Sequence, residues 1–431
     1  MKILLINPPN CGKSIPEERY GIDSIRQIFR GEPLALEALA GNLEGHELRI
    51  LDLKVEPFSL QQVLAEFRPE LAAFTAVTCE ANTVLLLAGE VKESCGAQVV
   101  VGGIHASSNP EFFNKKGVDY VVVGLGKGSL AELVAAIEAR RPTGAIPGIA
   151  PTKPGDRLAF TPRLFGAADL AEQAAPRYDL VAGYRGDYTL SSIGSQLGLV
   201  VSAFGCPYSC SFCCIGSLTD GRYLTNSIES VLRDIRLLGE VPVIRLVDAN
   251  TFGNTRHARL LAEAIIASGI RKHFLADVRS DTVVRHPELM QLWKEAGLRS
   301  VVIGFEEIAD GDLAWLNKEN SVAVNDEAIR ILHDLGITIV GDFIISPDYD
   351  EARFEALESY VISRRINLPI LTVLTPLPGT PLYAQMQDRI TIRDLDYYTL
   401  TNAVVPTRLG EERFYQQYAR LIKSFHATAK L

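Results

Sequence analysis

No run of about 20 consecutive apolar residues occurs anywhere in the 431-residue chain, so no segment reads as a bilayer-spanning helix. The apolar opening, Met1-Lys-Ile-Leu-Leu-Ile-Asn7, stops at Pro8-Pro9 and is too short for a secretory signal. A basic excess is missing too. The formal net charge is −9, which argues against nucleic acid as a partner, because phosphate binding needs a cationic surface. Seven cysteines, four of them between positions 206 and 214, are poor material for a disulfide framework and suit a reducing compartment. The expected localisation is cytoplasmic, with at most peripheral membrane contact.

Familiar phosphate-binding loops are also lacking. Cys11-Gly-Lys-Ser14 looks like the end of a phosphate loop, but the first glycine of G-x4-G-K-S would fall at Asn7. Gly124-Leu-Gly-Lys-Gly128 lacks the third glycine of the dinucleotide fingerprint and follows the last strand rather than the first. What remains is the composition of an ordinary globular protein, 47% hydrophobic and 22% charged, long enough for two or three domains.

Strand-like and helix-like segments alternate over residues 1–140, and the apolar strands joined by helices predict a doubly wound parallel sheet. Ligands of such sheets bind beyond the carboxyl ends of the strands. Here those loops are Asn7-Pro-Pro-Asn10, Thr78-Cys-Glu-Ala-Asn82, Gly102-Gly-Ile-His-Ala106 and Gly124-Leu-Gly-Lys-Gly128. Residues 141–195, rich in Pro, Gly and Ala with weak periodicity, read as a linker. Over 196–389 about six βα units follow, which predicts a partial (β/α)6 barrel. Residues 390–431 read as a connector and one amphipathic helix near Glu411–Thr428, a packing lid rather than a membrane foot.

The densest chemistry lies in Phe204-Gly-Cys-Pro-Tyr-Ser-Cys-Ser-Phe-Cys-Cys214. Three thiolates at C-x3-C-x2-C, on Cys206, Cys210 and Cys213, can share one tight loop and bind three irons of a cubane cluster. A fourth iron is then open to a small molecule. A zinc site would need a second Cys or His pair, and none follows. The alternative is a buried turn with structural cysteines. Polar residues also end the later strands: Asp248 and Asn250, Arg279 and Asp281, Glu306, Asp342 and Ser346, and Thr375. Each alone is a capping or surface residue, but as a set they predict one polar rim, since buried polar groups without partners are costly.

The cysteine run resembles the cluster loop of the radical SAM enzymes. That likeness implies a [4Fe-4S] cluster whose open iron chelates S-adenosylmethionine, with Phe212 near the adenine. It also implies an amino-group contact at Val247-Asp-Ala-Asn250 and carboxylate and ribose contacts at Arg279 and Glu306. Leu374-Thr-Pro-Leu-Pro-Gly-Thr-Pro-Leu-Tyr383 is similar to the family's last-strand motif, which brings in Thr375. Ile345-Ser-Pro347 departs from the usual glycine-proline turn, where Ser346 would make the fifth-strand contact.

The first 140 residues resemble the cobalamin-binding domain that precedes many radical SAM domains. Pro33-Leu-Ala-Leu-Glu-Ala-Leu-Ala40, Leu51-Asp-Leu53, Val101-Gly-Gly-Ile-His105 and Val118-Asp-Tyr-Val-Val-Val-Gly124 carry the likeness. It implies cobalamin contacts at Pro8, Thr78, Gly102, Gly103, His105, Gly124 and Gly126. The D-x-H-x-x-G cobalt-ligating motif is absent, and Gly124-Leu-Gly-Lys127 stands where relatives often have Gly-Glu-Gly-Glu. Within the family the likeness is to the subgroup of hopanoid C-3 methylases and anaerobic magnesium-protoporphyrin cyclases. It implies a C-methyltransferase acting on an unactivated carbon of a lipid-like, tetrapyrrole or other small molecule. It further implies an electron donor such as flavodoxin or ferredoxin. The rivals are a radical cyclase or rearrangement enzyme using cobalamin without methyl transfer, and a non-catalytic iron–sulfur sensor or scaffold.

Overall fold

The computed structural model describes residues 1–22, 29–56, 58–166, 170, 174–190 and 194–428. Seven strands among the described residues come from the first 151: β1 (Lys2–Asn7), β2 (Phe29–Arg30), β3 (Glu47–Asp52), β4 (Leu71–Thr75), β5 (Gln98–Gly102), β6 (Tyr120–Val122) and β7 (Ile149–Pro151). All except β2 form one sheet in the order β3-β1-β4-β5-β6-β7, parallel up to β6, with β7 antiparallel at the edge. The chain reverses its winding between β1 and β4, which is the switch point where doubly wound sheets open a crevice. Helices cover both faces, so β1 buries consecutive residues rather than alternate ones. Leu4 and Ile6 pack on one face with Phe74, Val99 and Val101, while Ile3 and Leu5 pack on the other with Ala73, Val100 and Val122.

The second sheet adds β8 (Thr189–Leu190), β9 (Ser195–Val200), β12 (Val243–Leu246), β13 (His273–Asp277), β14 (Leu298–Glu306), β15 (Thr338–Ile345) and β16 (Leu368–Val373). Its order is β16-β15-β14-β13-β12-β9-β8-β2. The six strands from β9 to β16 in that order are parallel and curl into the expected partial barrel. Two additions were not legible as periodicity. β8 folds back on β9, and β2 is lent by the first 140 residues to the far edge. Two-residue strands are set by their partners, not by their own pattern. The Glu32 carboxylate just after β2 accepts the Leu199 N–H at 2.6 Å, fastening that edge to the barrel. The stretch read as a linker likewise contributes β7 and a 3-10 segment at Tyr178–Asp187.

The remaining strands, β10 (Ala203–Phe204) and β11 (Leu224–Thr225), form a small antiparallel ladder on either side of the cysteine loop. Helix Glu411–Thr428 packs inward: Phe414, Tyr415, Tyr418, Leu421 and Phe425 join the barrel's core cluster. Among the described residues no helix is long and apolar enough to cross a membrane.

Candidate active site

The cysteine loop leaves β9 through Ser202 and is tied down at both ends. Asp248, 3% exposed, accepts the N–H groups of Ser202 (2.8 Å) and Ala203 (2.9 Å) and the Ser202 hydroxyl (2.5 Å). Its carboxyl is pushed up to about 6, chiefly by burial and against the pull of those hydrogen bonds. The loop then turns at Gly205, where φ is +76° and a β-carbon would lie 2.5 Å from Thr219 Oγ1 and overlap the Arg222 carbonyl. Only glycine fits there.

Cys206, Cys210 and Cys213 are free thiols, with Cys213 reaching the surface. Cys213 is pushed up to about 12, first by burial of its thiol and also by the neighbouring Cys214, Cys210 and Cys206. Cys210 is raised by burial and held back by Lys318 and Arg279. Burial and crowding keep both groups as neutral thiols, and a bound iron–sulfur cluster would stabilise their thiolate form. Among the described residues no three His, Cys, Asp or Glu side chains converge on a single ion. Each thiolate of a cubane binds its own iron, so its ligands need not converge in that way.

The rim residues lie at the carboxyl ends of the barrel strands, and they divide by what they already hold. Arg279 stacks 3.5 Å from the Tyr208 ring centroid, pairs with Asp281 at 3.0 Å and donates to the carbonyls of Lys318 (2.8 Å) and Glu319 (3.0 Å). Thr375 donates to the Val373 carbonyl at 2.9 Å, and Ser346 accepts the Asp348 N–H at 3.2 Å. These groups, with Asp248, brace the rim. Phe212 packs against the apolar cluster of Leu316, Leu374, Leu382 and Met386. Asn250 is different. It is 2% exposed, and neither atom of its side-chain amide has a partner; the buried hydroxyl of Ser211 is in the same state. Orphaned buried polar atoms at one barrel mouth call for a polar ligand, and the functional groups of S-adenosylmethionine fit them.

Glu306 ends β14 at φ +62°, an unusual conformation for a non-glycine residue, where the β14–β15 register shifts. Its carboxylate pairs at 2.6 Å with Lys318, and both side chains are 9% exposed. Gly304 leaves the space in which they meet: a β-carbon there would lie 3.0 Å from Lys318 Nζ and 3.0 Å from Glu306 Cδ. Lower in the barrel, Asp342 keeps one oxygen without a partner and is raised to about 8, by burial first and then by Glu306 and Asp277. Gly304, within Ile303-Gly-Phe-Glu306, and Lys318, within Asn317-Lys318, belong to stretches that carry the family likeness, but the likeness gives neither a role at the site.

Where the first sheet's strand ends face this loop lies a cavity of about 470 Å³. Gly102, Gly103, Gly124 and Gly126 line it, together with Phe204, Gly205, Ile215 and Leu218 beside the cysteines. It extends between helices Leu34–Gly41 and Gly126–Glu138, over Ala73, Val100 and Val122. At Gly103, with φ +97°, a β-carbon would sit 2.8 Å from the Ala76 nitrogen. A cradle of glycine and apolar surface shared by two sheets lets the broad face of a macrocyclic cofactor such as cobalamin lie close to the backbone.

Pro8, Thr78 and His105 do not line this cavity, which corrects the placement expected for them. His105 is fully buried, its Nδ1 lying 3.2 Å from Thr78 Oγ1 and its ring edge-on to Phe112 and Phe113. Burial lowers it to about 4, so it is a neutral core histidine. The Gly-Gly turn before it points the following side chain into the sheet–helix interior instead of over the rim.

Comparison with known proteins agrees with this geometry. Residues 29–134 match the B12 binding domain family and residues 200–361 the radical SAM superfamily. The chain is 31% identical over 404 residues to a hopanoid C-3 methylase of Methylococcus capsulatus, covering 91% of this chain and 76% of that protein. It is 27% identical over 387 residues to an anaerobic magnesium-protoporphyrin IX monomethyl ester cyclase of Cereibacter sphaeroides, covering 85% of this chain and 61% of that one. Its fold matches the radical S-adenosylmethionine methyltransferase TsrM of Kitasatospora setae, solved with cobalamin and a [4Fe-4S] cluster. The TM-score is 0.75 at 17% identity, over 100% of this chain and 91% of that one.

Proposed function

The chain belongs to the cobalamin-dependent radical SAM enzymes, and on that premise we propose that it is a C-methyltransferase acting on an unactivated carbon of a lipid-like or tetrapyrrole substrate. One observation carries the reading: a single cavity is walled by the glycine-rich strand ends of the first sheet and by Phe204, Gly205, Ile215 and Leu218 around the cysteines. When bound, the cluster with S-adenosylmethionine supplies a carbon radical, and cobalamin supplies a methyl carrier.

The residues divide the work. Cys206, Cys210 and Cys213 hold the cluster, while Asp248 and the Arg279–Tyr208 stack keep their loop in place. Asn250 takes the polar end of S-adenosylmethionine, with Phe212 near its adenine. Gly102, Gly103, Gly124 and Gly126 let the corrinoid lie close on the first sheet. Residues 1–140 thus carry the corrinoid and residues 196–389 the radical chemistry, with 141–195 joining them and 390–431 packed on the barrel. Inside the barrel, Leu275, Val302, Val340 and Leu368 form an apolar floor, which suits a hydrophobic substrate. The reductant is a small electron carrier, flavodoxin or ferredoxin.

A second reading, oxidative cyclisation, is favoured by the similarity to the cyclase. The test is an anaerobic reaction of the cluster-reconstituted, cobalamin-loaded enzyme with methyl-deuterated S-adenosylmethionine and either a desmethyl hopanoid or a magnesium porphyrin ester. Deuterated methyl in the product, with 5′-deoxyadenosine, supports methyl transfer. An oxidised, unlabelled product supports cyclisation. No deoxyadenosine from an intact cluster points to a sensor or scaffold.

A further inference from the structure

Strand β15 alternates between the two sides of the barrel wall. Ile339, Phe343 and Ile345 face outward into the core shared with the helices, while Val340 faces inward with Leu275, Val302 and Leu368. Asp342, two residues beyond Val340, therefore faces inward too, about 7 Å nearer the mouth. Two residues further on, Ile344 joins the cluster against which Phe212 packs. Asp342 thus stands between the apolar floor and the level of Phe212.

The space in front of it is open. The four floor residues keep 6–8% of their surface accessible, whereas the outward-facing Ile303, Ile339, Phe343 and Ile345 keep none. The strand register sets Gly304, which has no side chain, on one side of Asp342 and Ile370 on the other. The neighbouring charges are matched to one another: Arg245 meets Asp277 at 3.3 Å, and Lys318 meets Glu306 at 2.6 Å. Asp342 is the third acid, and one of its oxygens is buried with no hydrogen-bond partner. Burial, with Glu306 and Asp277, raises it to about 8 against the opposing pull of Arg245 and Lys318, so the carboxyl is neutral at pH 7. A neutral carboxyl both donates and accepts hydrogen bonds. Unsatisfied, it costs the fold stability, and a polar group of a ligand that met it would remove that cost.

We propose that Asp342 is a specificity-determining residue whose carboxyl hydrogen-bonds a hydroxyl on an otherwise apolar, uncharged substrate held in the barrel. The inference rests on the proposed function, which lays the substrate over this floor. It narrows that function to a neutral lipid alcohol in preference to a tetrapyrrole with a free carboxylate. A substrate carboxylate here would add a fourth acid to a layer in which Arg245 and Lys318 are each already held by one.

The experiment uses three probes of one fused-ring skeleton: decalin, 2-decalol and decalin-2-carboxylate. Equilibrium dialysis measures their binding to the full-length protein, cluster-reconstituted and loaded with cobalamin and S-adenosylmethionine, without reductant so that no radical forms. Wild type is compared with Asp342→Asn, which keeps a donor and an acceptor, and with Asp342→Leu, which has neither. Wild type should bind 2-decalol about tenfold or more tightly than either other probe. Asp342→Asn should keep most of that preference. Asp342→Leu should bind the alcohol no better than decalin, with decalin affinity unchanged and a thermal midpoint no lower than wild type. Equal affinity of wild type for decalin and 2-decalol would leave the barrel as a substrate site and overturn the proposal. An alcohol preference that survives in Asp342→Leu, equal losses of both probes there, or tightest binding of the carboxylate would overturn it as well. If wild type binds none of the three, the reading of the barrel as an apolar substrate site fails, and the proposal with it.

Discussion

Replacing Gly304 with alanine adds one methyl group at the barrel mouth, and the structure says what it meets. The new β-carbon would lie 3.0 Å from Glu306 Cδ and 3.0 Å from Lys318 Nζ, and would overlap Glu306 Oε1. Neither side chain can swing into solvent cheaply, because both are buried and held to each other at 2.6 Å. The cost should fall between that of overpacking, about 1–3 kcal/mol, and that of breaking a buried ion pair, about 3–5 kcal/mol. We expect about 2–4 kcal/mol, which lowers the barrel's unfolding midpoint by roughly 5–10 °C. Glu306→Ala alone leaves Lys318 buried without its partner and should be destabilising by itself. If the glycine acts by making room for Glu306, the double variant Gly304→Ala/Glu306→Ala should cost no more than Glu306→Ala. The assay is anaerobic thermal unfolding of the four proteins of this cycle, with S-adenosylmethionine binding measured on each. Strict additivity of the two costs, or a Gly304→Ala protein with wild-type stability, would refute the reasoning.

Gly205→Ala should prevent the cysteine loop from closing. Its β-carbon overlaps the Arg222 carbonyl, so iron content after reconstitution should drop below half of wild type while the remaining fold persists. Asp342→Asn should change the pH dependence of stability. The folded carboxyl titrates near 8 against an ordinary 3.8, so the wild type loses stability as pH rises through that window, by up to about 1.4 kcal/mol per unit. The variant should show no such slope and be the more stable protein at pH 8, as read by denaturant titration at several pH values. Parallel profiles would count against it. His105→Phe should leave cobalamin affinity unchanged, since His105 faces Phe112 and Phe113 and not the cavity. Because the histidine stays neutral down to about 4, wild type should lose stability as pH falls from 6.5 toward 4, and the variant should not.

Much of the fold was legible because its elements are long and periodic. Helices Thr255–Ala267, Pro287–Ala296, Glu351–Ser363 and Glu411–Thr428 occupy the residues their apolar spacing indicates. Both sheets follow from apolar runs separated by helical segments. What escaped was short or non-local. β2 and β8 have two residues each and exist because β9 offers a free edge beside Glu32. β7 was hidden in a proline-rich stretch, since an edge strand needs little pattern of its own.

By itself, the sequence determined the chemistry that depends on spacing along one loop. Cys206, Cys210 and Cys213 lie within eight residues of one another, so the chain's own geometry constrains them before any folding. It likewise determined the positions of the strand-end glycines, because a glycine after a buried strand is a local signal. Tertiary structure alone decided which polar groups are already spoken for and which remain for a ligand. Asp248 and Arg279 are bound to groups far along the chain and Thr375 to the Val373 carbonyl, whereas the Asn250 side-chain amide has no partner. It alone decided that His105 turns inward while Lys127 reaches the cavity. Burial and hydrogen bonding are set by contacts between residues distant in sequence, and a linear pattern does not record them.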